Sequence, residues 1–182
     1  MHCEAGSILT TFGKENKFNV DINELVSYYN NFPCKGINYI DIQPLLEDNL
    51  KYNYVIEQMG CLVKTPDFWV GVESRGFLFA SALSIKFGGG VKLIRKKGKL
   101  PGDNLVSVDY SLEYGIDSIQ IEKTNVKSNI VIVDDIFATG GTLIASEKLC
   151  ELANFNVTDL LTFVDIGISK ENNPKLKSLY RL

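Results

Sequence analysis

The chain has few of the residues that build metal centres and disulfide frameworks. Its 182 residues include one histidine, His2, and four scattered cysteines with no Cys-x-x-Cys spacing. We therefore expect neither a zinc site nor a catalytic histidine. A general acid or base should instead be a carboxylate, a lysine or a tyrosine. We interpret Cys61 and Cys150 as buried small hydrophobic residues.

The sequence also lacks the features that mark a membrane or nucleic-acid partner. No apolar run approaches the roughly 20 residues that span a bilayer, and the N-terminus shows no signal-peptide pattern. The net charge of −3 gives no general attraction to nucleic acid or to an anionic membrane. We therefore expect a cytoplasmic protein with neither partner, in which any anion site is locally basic.

Two common phosphate motifs are missing as well. The sequence contains no G-x-x-x-x-G-K-[ST] and no G-x-G-x-x-G pattern, which weakens an ATPase or dinucleotide-binding interpretation. The remaining composition, with 45% hydrophobic and 23% charged residues, is that of an ordinary globular protein. A length of 182 residues fits one domain, 1–182, with a sizeable core.

The most informative stretch begins with four apolar residues, Ile130–Val133, which are typical of a central parallel strand buried on both faces. Asp134 and Asp135 follow, where the strand is expected to end. A turn of small residues and hydroxyls, 138–142, then precedes a predicted helix at 143–152. Glycines and free N–H groups at a helix start favour a phosphate dianion, and the carboxylates can accept hydrogen bonds from ribose hydroxyls. The alternative is a buried strand whose acid pair merely starts a turn.

The same order of strand, small turn and helix occurs earlier in the chain. Residues 68–72 predict an apolar strand and residues 77–85 a buried helix, with Ser74 and Arg75 in the turn between them. An arginine at the carboxyl end of a parallel strand is well placed to hold a second phosphate group bidentately. A surface ion pair between Glu73 and Arg75 is the alternative.

The most basic segment, 95–102, follows a third predicted strand at 91–94. It carries four cations and two glycines, and we interpret it as a local positive field for pyrophosphate rather than as a solvated loop. Two alternating stretches, 106–115 and 118–122, predict an antiparallel hairpin that bears a mobile loop. Residues 157–165 predict a further strand, and the tail after it is short and polar, with Leu176, Leu179 and Tyr180 as candidates to pack back on the core.

Near the N-terminus, Asp21 and Glu24 form a capping-box pattern that predicts an amphipathic helix to about Asn31. A loop with a short strand is predicted at 32–42. The order of all these elements favours an α/β fold with a mostly parallel central sheet flanked by helices. In such sheets, ligands bind beyond the carboxyl ends of the strands.

Four blocks agree in order and spacing with one known family. Residues 130–142 resemble the phosphoribosyl-pyrophosphate (PRPP) motif of the type I phosphoribosyltransferases, and 73–79 resemble the family's pyrophosphate loop. Residues 95–102 and 110–115 are similar to the R-K-x-G-K-L-P-G and Y-x-L-E-Y-G blocks of the adenine phosphoribosyltransferases. A segment at about 32–45 also resembles the F-P-x-P-G…R-D hood segment of that family.

This resemblance implies the type I phosphoribosyltransferase fold, with a small N-terminal hood and a flexible β-hairpin loop. It implies transfer of 5-phosphoribosyl from PRPP to adenine, which gives AMP and pyrophosphate, with Mg²⁺ held mainly by PRPP and water. A homodimer is implied too, because in this family a loop from a neighbouring subunit helps at the pyrophosphate. Arg95 is the candidate for that contact.

The resemblance also implies three sets of site residues. Glu113 would handle the proton at the imidazole edge of adenine, and Tyr114 would close over the site. Asn38 and Ile40 would lie at the base in the hood. The set that binds PRPP and AMP comprises Ser74, Arg75, Arg95, Lys96, Lys99, Asp134, Asp135, Ala138, Thr139, Gly140, Gly141 and Thr142.

The hood departs from the family pattern at three positions. Lys35 stands where proline is usual, Ile40 where arginine is usual, and Asn38 where a β-branched aliphatic residue is frequent. Transfer to another purine base is therefore a second hypothesis. A third is a non-catalytic PRPP-binding regulator. The retained Glu113 argues against it, because a regulator needs no base-facing acid on a loop.

Overall fold

The computed structural model of this chain describes residues 20–112, 115–168 and 173–182. The chain forms two compact units, Met1–Glu47 and Asp48–Leu182. Within the described ranges, no helix is both long enough and apolar enough to cross a membrane.

In the first unit, the described residues form one helical turn, a small sheet and a short helix. Asp21 caps the 3-10 helix Ile22–Glu24, because its carboxylate accepts a hydrogen bond from the Asn23 N–H at 3.0 Å. The following elements are β1 (Ser27–Asn30), β2 (Asn38–Asp41) and α1 (Gln43–Glu47). The segment predicted to be a hood, about 32–45, lies in this unit. The expectation that 1–182 form one domain stays a prediction.

The predicted amphipathic helix from Asp21 to about Asn31 is wrong beyond its first turn. Its second half is strand β1, which pairs antiparallel with β2 so that Tyr29 lies opposite Tyr39. Aromatic residues fit a pleated strand well, and this cross-strand pairing outweighs the helical spacing of a few apolar residues.

The second unit is an α/β structure built on a sheet of seven strands among the described residues. The elements in chain order are α2 (Asn49–Gly60), β3 (Phe68–Val72), α3 (Gly76–Phe87), β4 (Gly90–Lys96), β5 (Leu105–Leu112), β6 (Gly115–Glu122), β7 (Asn129–Phe137), α4 (Gly141–Leu152), β8 (Asn156–Asp165) and β9 (Leu176–Arg181). The strand order is β5-β6-β4-β3-β7-β8-β9. The neighbouring strands β4, β3, β7, β8 and β9 pair in parallel. Strand β6 pairs antiparallel with both β4 and β5. The predicted mostly parallel sheet with helices around it is confirmed, and so is the hairpin.

Strand β7 lies in the middle of the parallel part, between β3 and β8. Its residues Ile130–Val133 are fully buried, because strands pair with both of its edges and helices α3 and α4 pack against it. Trp69 of β3 is also fully buried, and its indole N–H donates to the Gly88 carbonyl at 2.8 Å. A continuous apolar sequence thus marks both central strands correctly.

Strand β7 runs further than the sequence predicts, through the acid pair to Phe137. Asp134 lies opposite Thr162 of β8, and Ile136 lies opposite Val164. The predicted end of the strand before Asp134 is therefore wrong, because β8 offers a backbone partner as far as Asp165. Strand pairing, rather than a turn, fixes the positions of the two carboxylates.

The tail that was predicted to be short and polar contains strand β9, parallel to β8. Tyr180 packs edge-on against Phe163 with ring centroids 5.6 Å apart. The hydroxyls of Thr162 and Ser178 lie 2.8 Å apart. The strand was missed because its residues are only partly buried, so its apolar pattern is weak.

The two cysteines that were predicted to be buried, Cys61 and Cys150, differ in their surroundings. Cys150 is buried in α4, as predicted, and burial raises the pKa of its thiol. Cys61 was predicted to be buried and is exposed instead. It follows the last residue of α2, where the chain leaves the helix for a turn at the surface.

Candidate active site

A cleft of about 360 Å³ lies in the second unit, where β3 and β7 lead into their helices. Carboxyl ends of neighbouring parallel strands meet at one edge of a sheet, so the turns that follow them share one site. The residues that line the cleft are Glu73, Ser74, Arg75, Lys96, Tyr110, Asp117, Asp134, Asp135, Ile136, Phe137, Ala138, Thr139, Gly140, Gly141, Thr142 and Leu143.

The turn between β7 and α4 presents backbone rather than large side chains. Gly140 has φ of 87°, a left-handed conformation that favours glycine. A Cβ at this position would lie 2.9 Å from the Phe137 ring. Helix α4 starts at Gly141 without a side-chain cap, so the N–H groups of its first turn can bind an anion that enters the cleft. The hydroxyls of Thr139 and Thr142 stand at the same turn.

The acid pair at the end of β7 faces an arginine from the other turn. The Arg75 Nε lies 2.8 Å from the Asp135 Oδ2, and the Asp135 side chain is buried. Arg75 reaches the acid because the chain passes very close to β7 at the next residue. A Cβ at Gly76 would overlap the Val133 carbonyl oxygen, so glycine permits this approach.

Burial raises the pKa of both acids. Burial, and next the charge of Asp135, hold the pKa of Asp134 well above its ordinary value. Burial also raises the pKa of Asp135, although the Arg75 guanidinium opposes this. Hydrogen-bond donors that approach these carboxylates would stabilise their ionised forms. The pair is therefore suited to accept hydrogen bonds from neighbouring hydroxyls of a sugar.

Glu73 connects the first turn to the end of β4. Its carboxylate accepts a hydrogen bond from the Lys96 backbone N–H at 2.7 Å and pairs with the Arg95 guanidinium, whose Nε and Nη2 atoms both lie at 3.4 Å. Burial would raise the pKa of Glu73, but these partners outweigh it and lower that pKa. The Arg95 guanidinium also lies 5.9 Å from the centre of the Phe77 ring.

Lys96 enters the cleft beside the hairpin. Its Nζ lies 3.0 Å from the Asp117 Oδ2 of β6, and this contact raises the pKa of Lys96 and lowers the pKa of Asp117. Tyr110 lies directly opposite Asp117 in the hairpin, and its hydroxyl interacts with the side chains of Thr142 and Asp117. The sequence reasoning missed Asp117, because the predicted hairpin strands, 106–115 and 118–122, left this residue in the turn between them, whereas the observed register pairs it with Tyr110.

Most of the residues implied for PRPP and AMP lie together in this cleft. Those that line it are Ser74, Arg75, Lys96, Asp134, Asp135, Ala138, Thr139, Gly140, Gly141 and Thr142. Arg95 is held by Glu73 and is not among the lining residues. Lys99 is exposed in the turn after β4 and does not line the cleft either.

The two residues implied for base binding, Asn38 and Ile40, belong to the first unit. Asn38 is exposed and Ile40 is buried, and both belong to β2 of the first unit. Glu113 and Tyr114 lie outside the described residues. In the part of the chain that the structure describes, no three His, Cys, Asp or Glu side chains form a group that could hold a metal ion.

Comparisons with known proteins show the family of this chain. Residues 51–176 match the family model for the phosphoribosyl transferase domain. The chain is 41% identical over 150 residues to an adenine phosphoribosyltransferase from Caldanaerobacter subterraneus subsp. tengcongensis, and the match covers 80% of this chain and 86% of that protein.

Two solved structures extend the agreement to the fold. The crystal structure of adenine phosphoribosyltransferase from Thermoanaerobacter pseudethanolicus has a TM-score of 0.82 and 36% identity, covering 88% of this chain and 98% of that one. The enzyme from Saccharomyces cerevisiae, complexed with a dideoxyimino-altritol bisphosphate and adenine, has a TM-score of 0.69 and 32% identity over 87% of this chain and 85% of that one. The chain therefore belongs to the phosphoribosyltransferase family and, within it, to the adenine phosphoribosyltransferases.

Proposed function

We propose that this chain transfers the 5-phosphoribosyl group of PRPP to adenine, forming AMP and pyrophosphate. One observation carries the proposal: an acid pair, a small-residue turn before a helix and two cations meet in one cleft of about 360 Å³. A sugar with phosphate at one end and pyrophosphate at the other requires these groups. The relative from Saccharomyces cerevisiae, whose structure contains adenine, supports adenine as the base.

The turn at 138–142 is proposed to bind the 5′-phosphate. Backbone N–H groups at the start of α4 point along the helix axis, and the helix dipole adds to their attraction for a dianion. Thr139 and Thr142 supply hydroxyl donors. Asp134 and Asp135 accept hydrogen bonds from the ribose hydroxyls beside that phosphate.

Arg75, Lys96 and Ser74 are proposed to bind the pyrophosphate. Substitution at the anomeric carbon passes through an oxocarbenium-like state, and the leaving pyrophosphate gains charge as its bond stretches. Cations placed for that charge stabilise the transition state more than the bound substrate. Lys99 and Arg95 are proposed to strengthen the same positive field at the end of β4.

Mg²⁺ is proposed to accompany PRPP, held mainly by the substrate and water. Mg²⁺ prefers hard oxygen ligands and keeps several waters, and the cleft offers the carboxylates of Asp134 and Asp135 beside the proposed sugar site. A cation there would oppose the like-charge repulsion that contributes to the raised pKa of Asp134. When bound, Mg²⁺ would neutralise part of the charge of the leaving pyrophosphate.

Glu113 is proposed to handle the proton of adenine and Tyr114 to close over the base. We expect Glu113→Gln to lower kcat by about 100-fold or more, as general acid–base groups contribute, and to change the KM for PRPP by less than about threefold. Steady-state kinetics with adenine and PRPP measure both quantities. Glu122→Gln removes the same charge from an exposed position of the same hairpin and should change neither. Equal losses in kcat and PRPP affinity would contradict the role of Glu113.

The decisive assay is AMP formation from adenine, PRPP and Mg²⁺. Competition among adenine, hypoxanthine and guanine tests the base, because Asn38 and Ile40 depart from the family pattern in the hood. Turnover of another purine with no AMP formed would reject adenine. PRPP binding without turnover of any purine would favour a regulator.

A homodimer and a cytoplasmic location complete the proposal. The resemblance of the basic segment 95–102 implies a contact across subunits, with Arg95 as its candidate. Sedimentation of the active protein measures the oligomeric state. A monomer with full activity would remove the cross-subunit contact from the proposal.

A further inference from the structure

The cleft holds each of its cations against a carboxylate. Its charged lining residues are two cations, Arg75 and Lys96, and four acids, Glu73, Asp117, Asp134 and Asp135. Asp135 holds Arg75, and Asp117 holds Lys96. The proposed function assigns no role to Asp117. A carboxylate in this position would repel an anionic substrate. Its presence at the one lysine that lines the cleft, among the described residues, therefore needs an explanation.

Asp117 is the fixed member of its ion pair and Lys96 is the movable one. One oxygen of Asp117 accepts the Ser118 N–H at 2.9 Å, and the Tyr110 hydroxyl interacts with the same carboxylate. The Asp117 side chain is 22% exposed, whereas the Lys96 side chain is 57% exposed. An anion in the cleft would therefore compete for the flexible ammonium rather than displace the carboxylate.

We infer that Asp117 is a positioning residue: it holds the Lys96 ammonium until a pyrophosphate group replaces Asp117 as the partner of that ammonium. This inference rests on the proposed function, in which Lys96 binds pyrophosphate. The contact between Lys96 and Asp117 must be given up or shared on binding, so its free energy subtracts from the affinity for pyrophosphate. The same attraction draws Lys96 back when pyrophosphate leaves, which favours product release.

Calorimetric titration of the full chain with inorganic pyrophosphate and Mg²⁺ tests the inference. We expect Asp117→Asn to bind pyrophosphate about three- to fivefold more tightly, the range that exposed ion pairs support. The affinity for AMP should not change, because AMP carries no pyrophosphate. Asp109→Asn is the matched control: it removes the same charge from an exposed position of β5 that does not line the cleft. This control should leave both affinities unchanged.

A double-mutant cycle with Lys96→Met tests whether Asp117 acts through Lys96. In the Lys96→Met background, the gain from Asp117→Asn should disappear. A gain that persists there would overturn the inference, because Asp117 would then repel the ligand directly. Weaker or unchanged pyrophosphate binding in the single variant would also overturn it. Asp117→Ser provides a second variant, for which we expect the same direction.

These measurements separate the inference from the proposed reaction. A wild-type chain that forms no AMP from adenine would count against the reaction, while the pyrophosphate titration would still decide the role of Asp117. A wild-type chain that binds AMP but no pyrophosphate would overturn the inference. An AMP affinity that moves with the pyrophosphate affinity would overturn it as well.

Discussion

Two segments of the second unit share one order of elements and use it differently. Strand β3 leads through Ser74 and Arg75 into α3, and the neighbouring β7 leads through 138–142 into α4. The turn after β7 has no charged side chain and a glycine in a left-handed conformation. The turn after β3 carries an arginine whose charge is already paired with Asp135 of β7.

The difference separates the proposed phosphate subsite, which is made of backbone, from the proposed pyrophosphate subsite, which is made of side chains. Backbone N–H groups at a helix start keep their positions without ligand, so the turn after β7 would need no rearrangement to bind the proposed phosphate. Arg75 and Lys96 are held by carboxylates instead, and these contacts must be exchanged or shared when an anion binds. The first subsite should therefore be sensitive to backbone geometry, and the second to charge.

The largest expected effect is that of Gly140→Ala on AMP binding. A side chain at φ of 87° is strained, and its Cβ would press on the Phe137 ring at 2.9 Å, so the turn must change shape. We expect AMP affinity to fall by about 100-fold or more, in line with several lost charge-assisted hydrogen bonds. Calorimetric titration with AMP measures it.

Gly98→Ala is the control for backbone strain alone. Gly98 has φ of 80°, but a Cβ there would meet no atom within 4 Å, and Gly98 does not line the cleft. The variant should lose about 1–2 kcal/mol of unfolding free energy through strain and keep its affinity for AMP. Equal losses of AMP affinity in the two variants would mean that the shape of the turn at Gly140 is not what binds the phosphate.

A smaller effect is expected for Arg75→Gln at the side-chain subsite. Pyrophosphate affinity should fall by about tenfold, the loss of one charge-assisted contact, with a smaller change for AMP. The buried carboxylate of Asp135 would lose its cation, so the free energy of unfolding should fall by about 1–2 kcal/mol, because the arginine is partly exposed. Titration with pyrophosphate and denaturant unfolding measure the two losses.

Arg181→Gln is the matched control for that variant. Arg181 pairs with Asp165 at 3.6 Å and its side chain is 78% exposed, so its removal should change the unfolding free energy by about 0.5 kcal/mol or less. If Arg75→Gln weakened AMP and pyrophosphate binding equally, the division between the two subsites would be wrong.

The smallest expected effect is that of Asp134→Asn on the pH dependence of stability. The folded chain keeps a proton on Asp134 at a pH where the unfolded chain has lost it, because burial and Asp135 raise this pKa. The free energy of unfolding therefore falls as the pH rises from the ordinary carboxyl range through the raised pKa. Asparagine removes this fall, so the variant should lose less stability between acid and neutral pH, as denaturant unfolding at several pH values would show.

The same variant should bind PRPP about three- to tenfold more weakly, because it loses a charged acceptor for a ribose hydroxyl. A variant with the pH dependence of the wild type would mean that Asp134 does not carry the shifted titration. Unchanged PRPP binding would mean that Asp134 does not touch the sugar.

The central strands and the small-residue turn at 138–142 were predictable because their signals are local. The apolar run at 130–133 needs burial on both sides, and the small residues at 138–142 exclude most other turns. Strands β1 and β9 were not predictable in the same way, because each depends on pairing with another strand. The partners of β1 lie eight or more residues away, and β9 is a partly buried strand that pairs with β8.

The charge pairs could not be predicted either, because they join distant parts of the chain. Arg75 and Asp135 are far apart in sequence, and their contact depends on β3 lying beside β7. Asp117 meets Lys96 only because β6 returns along β4. Sequence reasoning therefore identified most of the implied residues that line the cleft, but not which carboxylate holds which cation.

The buried indole of Trp69 gives the chain a built-in optical reporter. Trp69 is the single tryptophan of the sequence, and it is fully buried in β3, with its N–H on the Gly88 carbonyl. Its fluorescence comes from one position in the central sheet, four residues before Glu73. Emission from this side chain should shift to longer wavelength when the sheet opens to water, so unfolding of every variant can be followed without an added label.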